Sequence, residues 1–159
     1  MGSHNLSITK TLKIPQRIFR VLSRGGHLNY FSNPSRGPYR ILIVDDIPAV
    51  RESLSWLLLD QPGLAVVGDA SDGSGAIRQA LKLDPDLVIL DIELPDLDGF
   101  NVTRQLKALP HPPLVVLLSI HSDDLSRQRG VQAGCDAFVE KGLGWPGLLA
   151  VLQEVLDGT

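Results

Sequence analysis

The sequence has 159 residues, enough for one compact domain with an extension, and 43% of them are apolar while 21% are charged. This composition is ordinary for a globular protein and excludes a chain that is intrinsically disordered throughout. The single cysteine, Cys135, excludes a disulfide scaffold and a cysteine-rich metal site. No apolar run approaches the roughly 20 residues needed to span a bilayer.

The net charge of −3 conceals two oppositely charged parts of the chain. Residues 1–40 carry seven basic residues and no acidic one, for a net charge of +7. Residues 41–159 carry eight basic and 18 acidic residues, for a net charge of −10. Such an asymmetry indicates two segments with different roles.

The basic first part is expected to lie outside the main domain. Residues 1–4 resemble an expression-tag remnant, and residues 5–38 lack a sustained apolar period and end in a Pro- and Gly-containing linker. The spacing of Ile14, Ile18 and Leu22 is compatible with a short basic amphipathic helix. We predict that residues 1–38 form a flexible or loosely docked extension. A transit peptide and an arm that binds a partner, such as a membrane surface or nucleic acid, are the alternatives.

From residue 39 onward, buried strands and amphipathic helices are predicted to alternate. Continuous apolar runs predict strands at 41–44, 64–68, 87–90, 114–118 and 137–139. Helical spacing of apolar residues predicts helices at 48–60, 72–83, 98–109 and 123–133, and a last helix that begins at Pro146. Parallel strands joined by helical crossovers form a doubly wound α/β sheet, which binds ligands beyond the carboxyl ends of its strands.

Polar side chains follow four of the predicted strands. Asp45 and Asp46 end the first strand, Asp91 the third and Ser119 the fourth, and Lys141 comes shortly after the fifth. Taken singly, each residue type is typical of a turn, a helix cap or a solvated charge. Because all five fall at the carboxyl edge of one sheet, we expect them to converge and to form a functional site.

The chemistry of this set indicates phosphoryl transfer. Three neighbouring carboxylates repel one another, and a hard divalent cation such as Mg²⁺ relieves the repulsion while keeping water positions that a phosphate can take. A carboxylate beside such a cation can attack phosphorus and form an acyl phosphate. The cation and an ammonium group would then neutralise the phosphoryl oxygens.

The same motifs resemble those of the receiver domains of two-component response regulators. The resemblance covers residues 39–157 and is carried by residues 41–46, 87–99, 118–119 and 137–141, which read ILIVDD, LVILDIELPDLDG, LS and AFVEK. It implies a flavodoxin-like sheet of five parallel strands in the order 2-1-3-4-5. The LSIH segment from Leu118 and the KG pair from Lys141 are similar to the nitrate-response class, whose output is a LuxR-type helix-turn-helix domain.

The resemblance implies a metal site and a phosphoacceptor. Asp91 would be the phosphoacceptor. Asp46, Asp91 and the backbone carbonyl of Glu93 would bind Mg²⁺ or Mn²⁺ directly, and Asp45 would reach the metal through water.

The resemblance also implies a switch, partners and a location. Lys141 would pair with the phosphoryl group, Ser119 would hydrogen-bond one of its oxygens, and Phe138 would swing in behind Ser119. A sensor histidine kinase would supply the phosphoryl group, and the surface of helix four, strand five and helix five would bind a partner or a second copy. Such a domain lies in the cytoplasm, contacts DNA only through an output domain absent from this chain, and catalyses only its own phosphorylation and dephosphorylation.

Other functions remain open from the sequence. The chain is compatible with a stand-alone receiver that acts through protein–protein contacts. A phosphoaspartate phosphatase is disfavoured, because Glu93 stands where a second aspartate is expected and no cap insertion is present. The residue after Lys141 is Gly142, not the usual proline, which puts the customary cis peptide there in doubt. The bulky Ile120 after Ser119 predicts slow hydrolysis of an acyl phosphate.

Several other motifs are expected to be structural. The Gly73-Ser74-Gly75 run is too short for a dinucleotide-binding loop. Residues 96–99, which read DLDG, lack the later ligands of a calcium loop and are better suited to cap the next helix. Cys135 is expected to be a small core residue.

Overall fold

A computed structural model of the protein describes Phe31, residues 35–121 and residues 123–158, so the helix suggested near Ile14 lies outside the described residues. The chain forms one parallel sheet in the order β2-β1-β3-β4-β5, which confirms the predicted fold. Its strands are β1 (Tyr39–Val44), β2 (Leu64–Ala70), β3 (Leu87–Asp91), β4 (Leu114–Ser119) and β5 (Ala137–Glu140).

In the described part of the chain, five helices join and flank these strands, and a 3₁₀ turn, Lys141–Leu143, follows β5. They are α1 (Pro48–Leu59), α2 (Gly73–Leu83), α3 (Gly99–Lys107), α4 (Asp124–Ala133) and α5 (Gly144–Asp157). Three of them begin after an aspartate whose carboxylate accepts a hydrogen bond from the backbone amide three residues later, and these N-caps are Asp72, Asp98 and Asp123. Among the described residues, no helix is long and apolar enough to cross a membrane.

The last helix differs from its prediction. It begins at Gly144 rather than at Pro146, which is its third residue. Proline is accepted there because the amides of the first helical turn have no partner within the helix. No cis peptide bond occurs in the described part of the chain, so the bond after Lys141 is trans.

The sheet separates two apolar layers because successive side chains of a strand point to opposite faces. One layer packs under α1 and α5 and includes Ile41, Ile43, Ile89, Leu54 and Leu152. The other packs under α2, α3 and α4 and includes Leu42, Val88, Leu90, Ala76 and Leu106. Because helices and apolar side chains cover both faces of the sheet, a cluster of polar side chains is accommodated at the strand ends.

Two of the described residues before β1 also pack against the domain. Phe31 is 6% exposed and belongs to the layer under α1 and α5. Arg36 stacks over the Tyr39 ring, 4.4 Å from its centroid, and pairs with Asp86 in the loop before β3. Asp86 lies at the amino ends of the strands, so Arg36 docks at the edge of the sheet opposite the predicted site.

Candidate functional site

Three carboxylates meet at the carboxyl edge of the sheet. Val44 of β1 pairs with Leu90 of β3, so Asp45 and Asp91 follow at neighbouring positions of adjacent strands. One oxygen from each of Asp45, Asp46 and Asp91 lies within 4.8 Å of the other two. Asp45 and Asp91 are buried and Asp46 is exposed, so the cluster opens to solvent on one side.

Lys141 joins this cluster from the far side of the sheet. It follows β5, and its side chain reaches past β4 to the ends of β3 and β1. Its Nζ lies 3.1 Å from Oδ2 of Asp91 and 3.0 Å from Oδ2 of Asp45. One ammonium group therefore bridges two buried carboxylates.

The electrostatics of the site follow from this burial. Desolvation, with a smaller contribution from the charge of Asp45, raises the pKa of Asp91 to about 6, although the Glu93 amide and Lys141 oppose the rise. Burial also disfavours the Lys141 ammonium, but its hydrogen bonds and charge interactions with Asp45 and Asp91 outweigh that effect and raise its pKa. Lys141 thus stays charged, whereas burial and the charge of Asp45 destabilise the ionised form of Asp91.

Backbone amides orient both buried carboxylates. The amide of Ile47 donates to Oδ1 of Asp45 at 2.9 Å, and the amide of Glu93 donates to Oδ1 of Asp91 at 3.1 Å. These bonds to an amide two residues later are typical of aspartate in turns. In each carboxylate, Oδ1 binds the local backbone and Oδ2 faces Lys141.

The side chains of three further predicted residues contact groups other than Lys141 and the three carboxylates. Ser119 is buried at the end of β4, and its Oγ accepts from the amide of His121 at 3.0 Å. Phe138 is half-buried on β5, with the guanidinium of Arg127 5.2 Å from its ring centroid. The Glu93 side chain is exposed, with Oε1 3.8 Å from Nε2 of His121.

Arg51 supports the site and was not singled out from the sequence. Its Nη1 donates to the backbone carbonyl of Asp45 at 2.7 Å, and its Nε donates to Oδ2 of Asp69 on β2 at 2.7 Å. Arg51 thus ties the end of β1 to β2. No pattern in the sequence distinguishes this arginine from any other on an exposed helix.

The donor set fits a hard divalent cation. Carboxylate oxygens are the ligands that Mg²⁺ and Mn²⁺ prefer, and Mg²⁺ commonly takes one or two protein carboxylates and keeps several waters. Asp45, Asp46 and Asp91 supply such oxygens on the open side of the cluster. A cation there would also stabilise the ionised form of Asp91, whose pKa is raised by burial.

Comparisons with known proteins agree with this geometry. Residues 41–153 match the family model of the response regulator receiver domain. The chain is 34% identical over 120 residues to response regulator GacA of Pseudomonas viridiflava, across 75% of this chain and 56% of GacA. It is 38% identical over 104 residues to protein-glutamate methylesterase/protein-glutamine glutaminase 1 of Syntrophus aciditrophicus (strain SB), across 64% of this chain and 30% of that protein.

A solved structure gives the same picture. The crystal structure of a two-component response regulator of the LuxR family from Aurantimonas sp. SI85-9A1 matches with a TM-score of 0.73 and 30% identity. The match covers 77% of this chain and 87% of that one. The chain spans between about a third and just over half the length of the two curated relatives.

Proposed function

This chain belongs to the response regulator receiver domain family, and from that premise we propose that it is a phosphorylation switch of a two-component system. A sensor histidine kinase would transfer a phosphoryl group to Asp91. Residues 39–157 would form the switching domain, which acts in the cytoplasm, and residues 1–38 an extension. The observation that carries the proposal is the Lys141 ammonium, 3.1 Å from Asp91 and 3.0 Å from Asp45 in a cluster of three carboxylates.

The transfer step uses the chain's own groups in defined roles. A carboxylate oxygen of Asp91 forms a bond to phosphorus while the bond from phosphorus to the kinase histidine nitrogen breaks. Lys141 holds its proton and neutralises a phosphoryl oxygen. Asp45, Asp46, Asp91 and the Glu93 carbonyl would hold Mg²⁺ or Mn²⁺, which when bound supplies positive charge to the phosphoryl oxygens.

The switch follows from the new charge on Asp91. We expect the Ser119 hydroxyl to leave the His121 amide and donate to a phosphoryl oxygen, drawing the β4–α4 loop inward. Phe138 would then move toward the space behind Ser119. These steps would bias the surface of α4, β5 and α5 between two states, one of which binds a partner or a second copy.

We assign the output to transcription regulation. Similarity to GacA over 120 residues and to a LuxR-family response regulator supports this assignment. The methylesterase relative shares only 30% of its length with this chain. If the output is transcription regulation, DNA would be contacted by a part of the protein other than the receiver domain.

Acetyl phosphate tests the proposal without knowledge of the kinase. Incubated with acetyl phosphate and Mg²⁺, the wild-type protein should gain one phosphoryl group by intact-protein mass spectrometry. Asp91→Asn should gain none, because an amide is not a nucleophile toward phosphorus. Modification of Asp91→Asn at the same site, or none of the wild type, would refute the assignment of Asp91.

The same preparation separates a switch from a phosphatase. A receiver domain should bind beryllofluoride only with Mg²⁺ and should not turn over p-nitrophenyl phosphate. Steady-state turnover that Asp91→Asn abolishes would favour the phosphatase. Failure to bind beryllofluoride would favour an interaction module that no longer takes phosphate.

A further inference from the structure

Asp96 makes an unusual set of contacts for a loop residue. It lies in the loop of residues 92–98, which joins Asp91 to α3. Its Oδ1 accepts from the amides of Gly73 and Leu97 at 2.7 and 2.8 Å. Its Oδ2 accepts from the amide and the hydroxyl of Ser74 at 2.9 and 2.7 Å. Three of the four donors therefore belong to the start of α2, 22 or 23 residues earlier in the chain.

The start of α2 is thus bound by two aspartates with different origins. The local N-cap, Asp72, accepts from the amide of Gly75 at 2.6 Å. Asp96 takes the two preceding amides, those of Gly73 and Ser74. A helix N-terminus presents unpaired amides and favours negative charge. The glycine-rich run that is too short for a dinucleotide therefore holds a carboxylate of its own chain.

The contact is close as well as polar. A Cβ added to Gly73 would lie 2.8 Å from the Cβ of Leu97 and 2.7 Å from Cγ2 of Val102. Only a residue without a side chain lets the loop pack directly against the backbone of α2. The sequence signal for this contact is therefore the glycine at the start of the helix together with an acidic residue in the later loop.

The other end of the same loop is closed on itself. The amide of Gly99 donates to the carbonyl of Ile92 at 2.7 Å. A Cβ added to Gly99 would lie 2.6 Å from the Cα of Ile92 and 2.7 Å from the Asp91 carbonyl oxygen. The two ends of the loop are therefore in direct contact beside Asp91. Asp96 binds the outer part of the loop to α2. Glu93 lies between these two attachments.

The charge of Asp96 suits this role. Hydrogen bonds from the Ser74 hydroxyl, then from the Ser74 and Gly73 amides, hold the pKa of Asp96 well below its usual range. The side chain is therefore an anion throughout the neutral pH range. The hydrogen bonds of Asp96 therefore persist at the neutral pH at which a carboxylate cluster binds a metal.

We propose that Asp96 is a positioning residue for the metal site: by binding the start of α2, it fixes the loop that carries Glu93 beside Asp91. The inference rests on the proposed function, because it concerns the same site. Without Asp96 the outer loop would be free to move, and metal binding would have to order it. Groups that orient metal ligands commonly contribute 10- to 100-fold to metal affinity.

Asp96→Asn and Asp72→Asn form a matched pair that tests this role. Each removes one negative charge from the same helix start, but only Asp96 belongs to the loop of residues 92–98. We expect Asp96→Asn to raise the Mg²⁺ dissociation constant, measured by calorimetry, about tenfold. Asp72→Asn should leave that constant close to the wild-type value, and asparagine caps a helix about as well as aspartate.

A second measurement needs no metal. In Mg²⁺-free buffer, amide hydrogen exchange of residues 92–98 should be faster in Asp96→Asn than in the wild type and unchanged in Asp72→Asn. Ser74→Ala removes only the hydroxyl donor, so it should raise the Mg²⁺ dissociation constant less than Asp96→Asn does and should speed exchange slightly. If Asp96→Asn fails to fold, the comparison of Ser74→Ala with Asp72→Asn decides.

The possible outcomes separate the inference from the proposed function. If the wild type binds Mg²⁺, and Asp96→Asn matches Asp72→Asn in affinity and loop exchange, Asp96 is only a helix cap and the inference is overturned. If the wild type binds no Mg²⁺ and takes no phosphoryl group, the proposed function is refuted and the inference falls with it. Weaker Mg²⁺ binding with faster loop exchange, confined to Asp96→Asn and Ser74→Ala, supports the positioning role.

Discussion

Burial of Asp91 disfavours its ionised form, which is the form that the proposed transfer step requires. It is 4% exposed at the end of a buried strand, next to Asp45, and its pKa is raised to about 6 from 3.8. An ionised carboxylate in this position destabilises the fold, and the proposed function gives a reason for the cost, because the ionised carboxylate would be the nucleophile. Lys141 and the Glu93 amide reduce the cost without removing it.

The pKa of Asp91 predicts a pH-dependent effect of its removal. The folded state binds the Asp91 proton more tightly than the unfolded state, so this group's contribution to stability falls as pH rises from about 4 to about 6. In Mg²⁺-free buffer at pH 7.5, Asp91→Asn should raise the free energy of unfolding in urea by about 3 kcal/mol. The difference should shrink toward zero below pH 4. A gain that is the same at every pH would contradict this account.

Ile120 predicts the lifetime of the phosphorylated state. It follows Ser119 and is 57% exposed, so its side chain is available to shield an acyl phosphate from water. Ile120→Ala should speed autodephosphorylation by admitting water, measured by phosphate release after acetyl phosphate is removed. Leu81→Ala is the control, since Leu81 on α2 is similarly exposed, at 62%. An unchanged rate in Ile120→Ala would exclude the shielding role.

At the scale of elements, the site depends on how strand ends and helix starts are joined. β1 and β3 are neighbours and place Asp45 beside Asp91, while β5 delivers Lys141 from two strands away. Arg51 fastens α1 to the end of β1 and to β2, and Asp96 fastens the β3–α3 loop to α2. The site therefore depends on contacts between elements as well as on the local amides that orient Asp45 and Asp91.

The segment before β1 carries a prediction about stability. Phe31 precedes the residues that match the family model, 41–153, and yet it is buried in the layer under α1 and α5. Phe31→Ala should lower the free energy of unfolding by about 3 kcal/mol, because a buried aromatic ring is replaced by a cavity. Leu59→Ala, at a site 70% exposed on α1, is the control and should change it far less. Equal effects in urea denaturation would show that Phe31 is not anchored.

At the scale of the whole molecule, the polar cluster lies at one edge of the sheet and the rest of the domain holds that edge rigid. Two apolar layers, one on each face, hold five strand ends in fixed register. The domain carries the acidic part of the chain, and some of that charge forms the cluster of three carboxylates. The segment before it carries basic residues and no acidic one, and Arg36 of that segment pairs with Asp86 at the opposite edge.

Metal binding should therefore stabilise the whole domain. Because a ligand that binds only the folded state adds to its stability, Mg²⁺ at about 100 times its dissociation constant should contribute about 2.7 kcal/mol. Thermal unfolding followed by circular dichroism should show a higher Tm in Mg²⁺. Asp46→Asn removes an exposed ligand of the cluster and should abolish most of the increase. An equal increase in that variant would place the metal elsewhere.

The order of elements and the main site residues could be read from the chain alone. Buried parallel strands appear as continuous apolar runs, and the residue after each run falls at the same sheet edge. Asp45, Asp46, Asp91 and Lys141 therefore converge for a reason that is local in sequence. The family motifs predicted the strand order, which the structure confirms.

Contacts between distant segments were decided by the tertiary structure. The burial of Phe31, the bridge made by Arg51 and the binding of Asp96 to α2 join residues that share no periodicity or motif. A pattern of apolar and polar residues specifies which face of an element is buried. It does not specify which side chain of another element meets the donors at a helix start, because that depends on how the packed layers place the two loops.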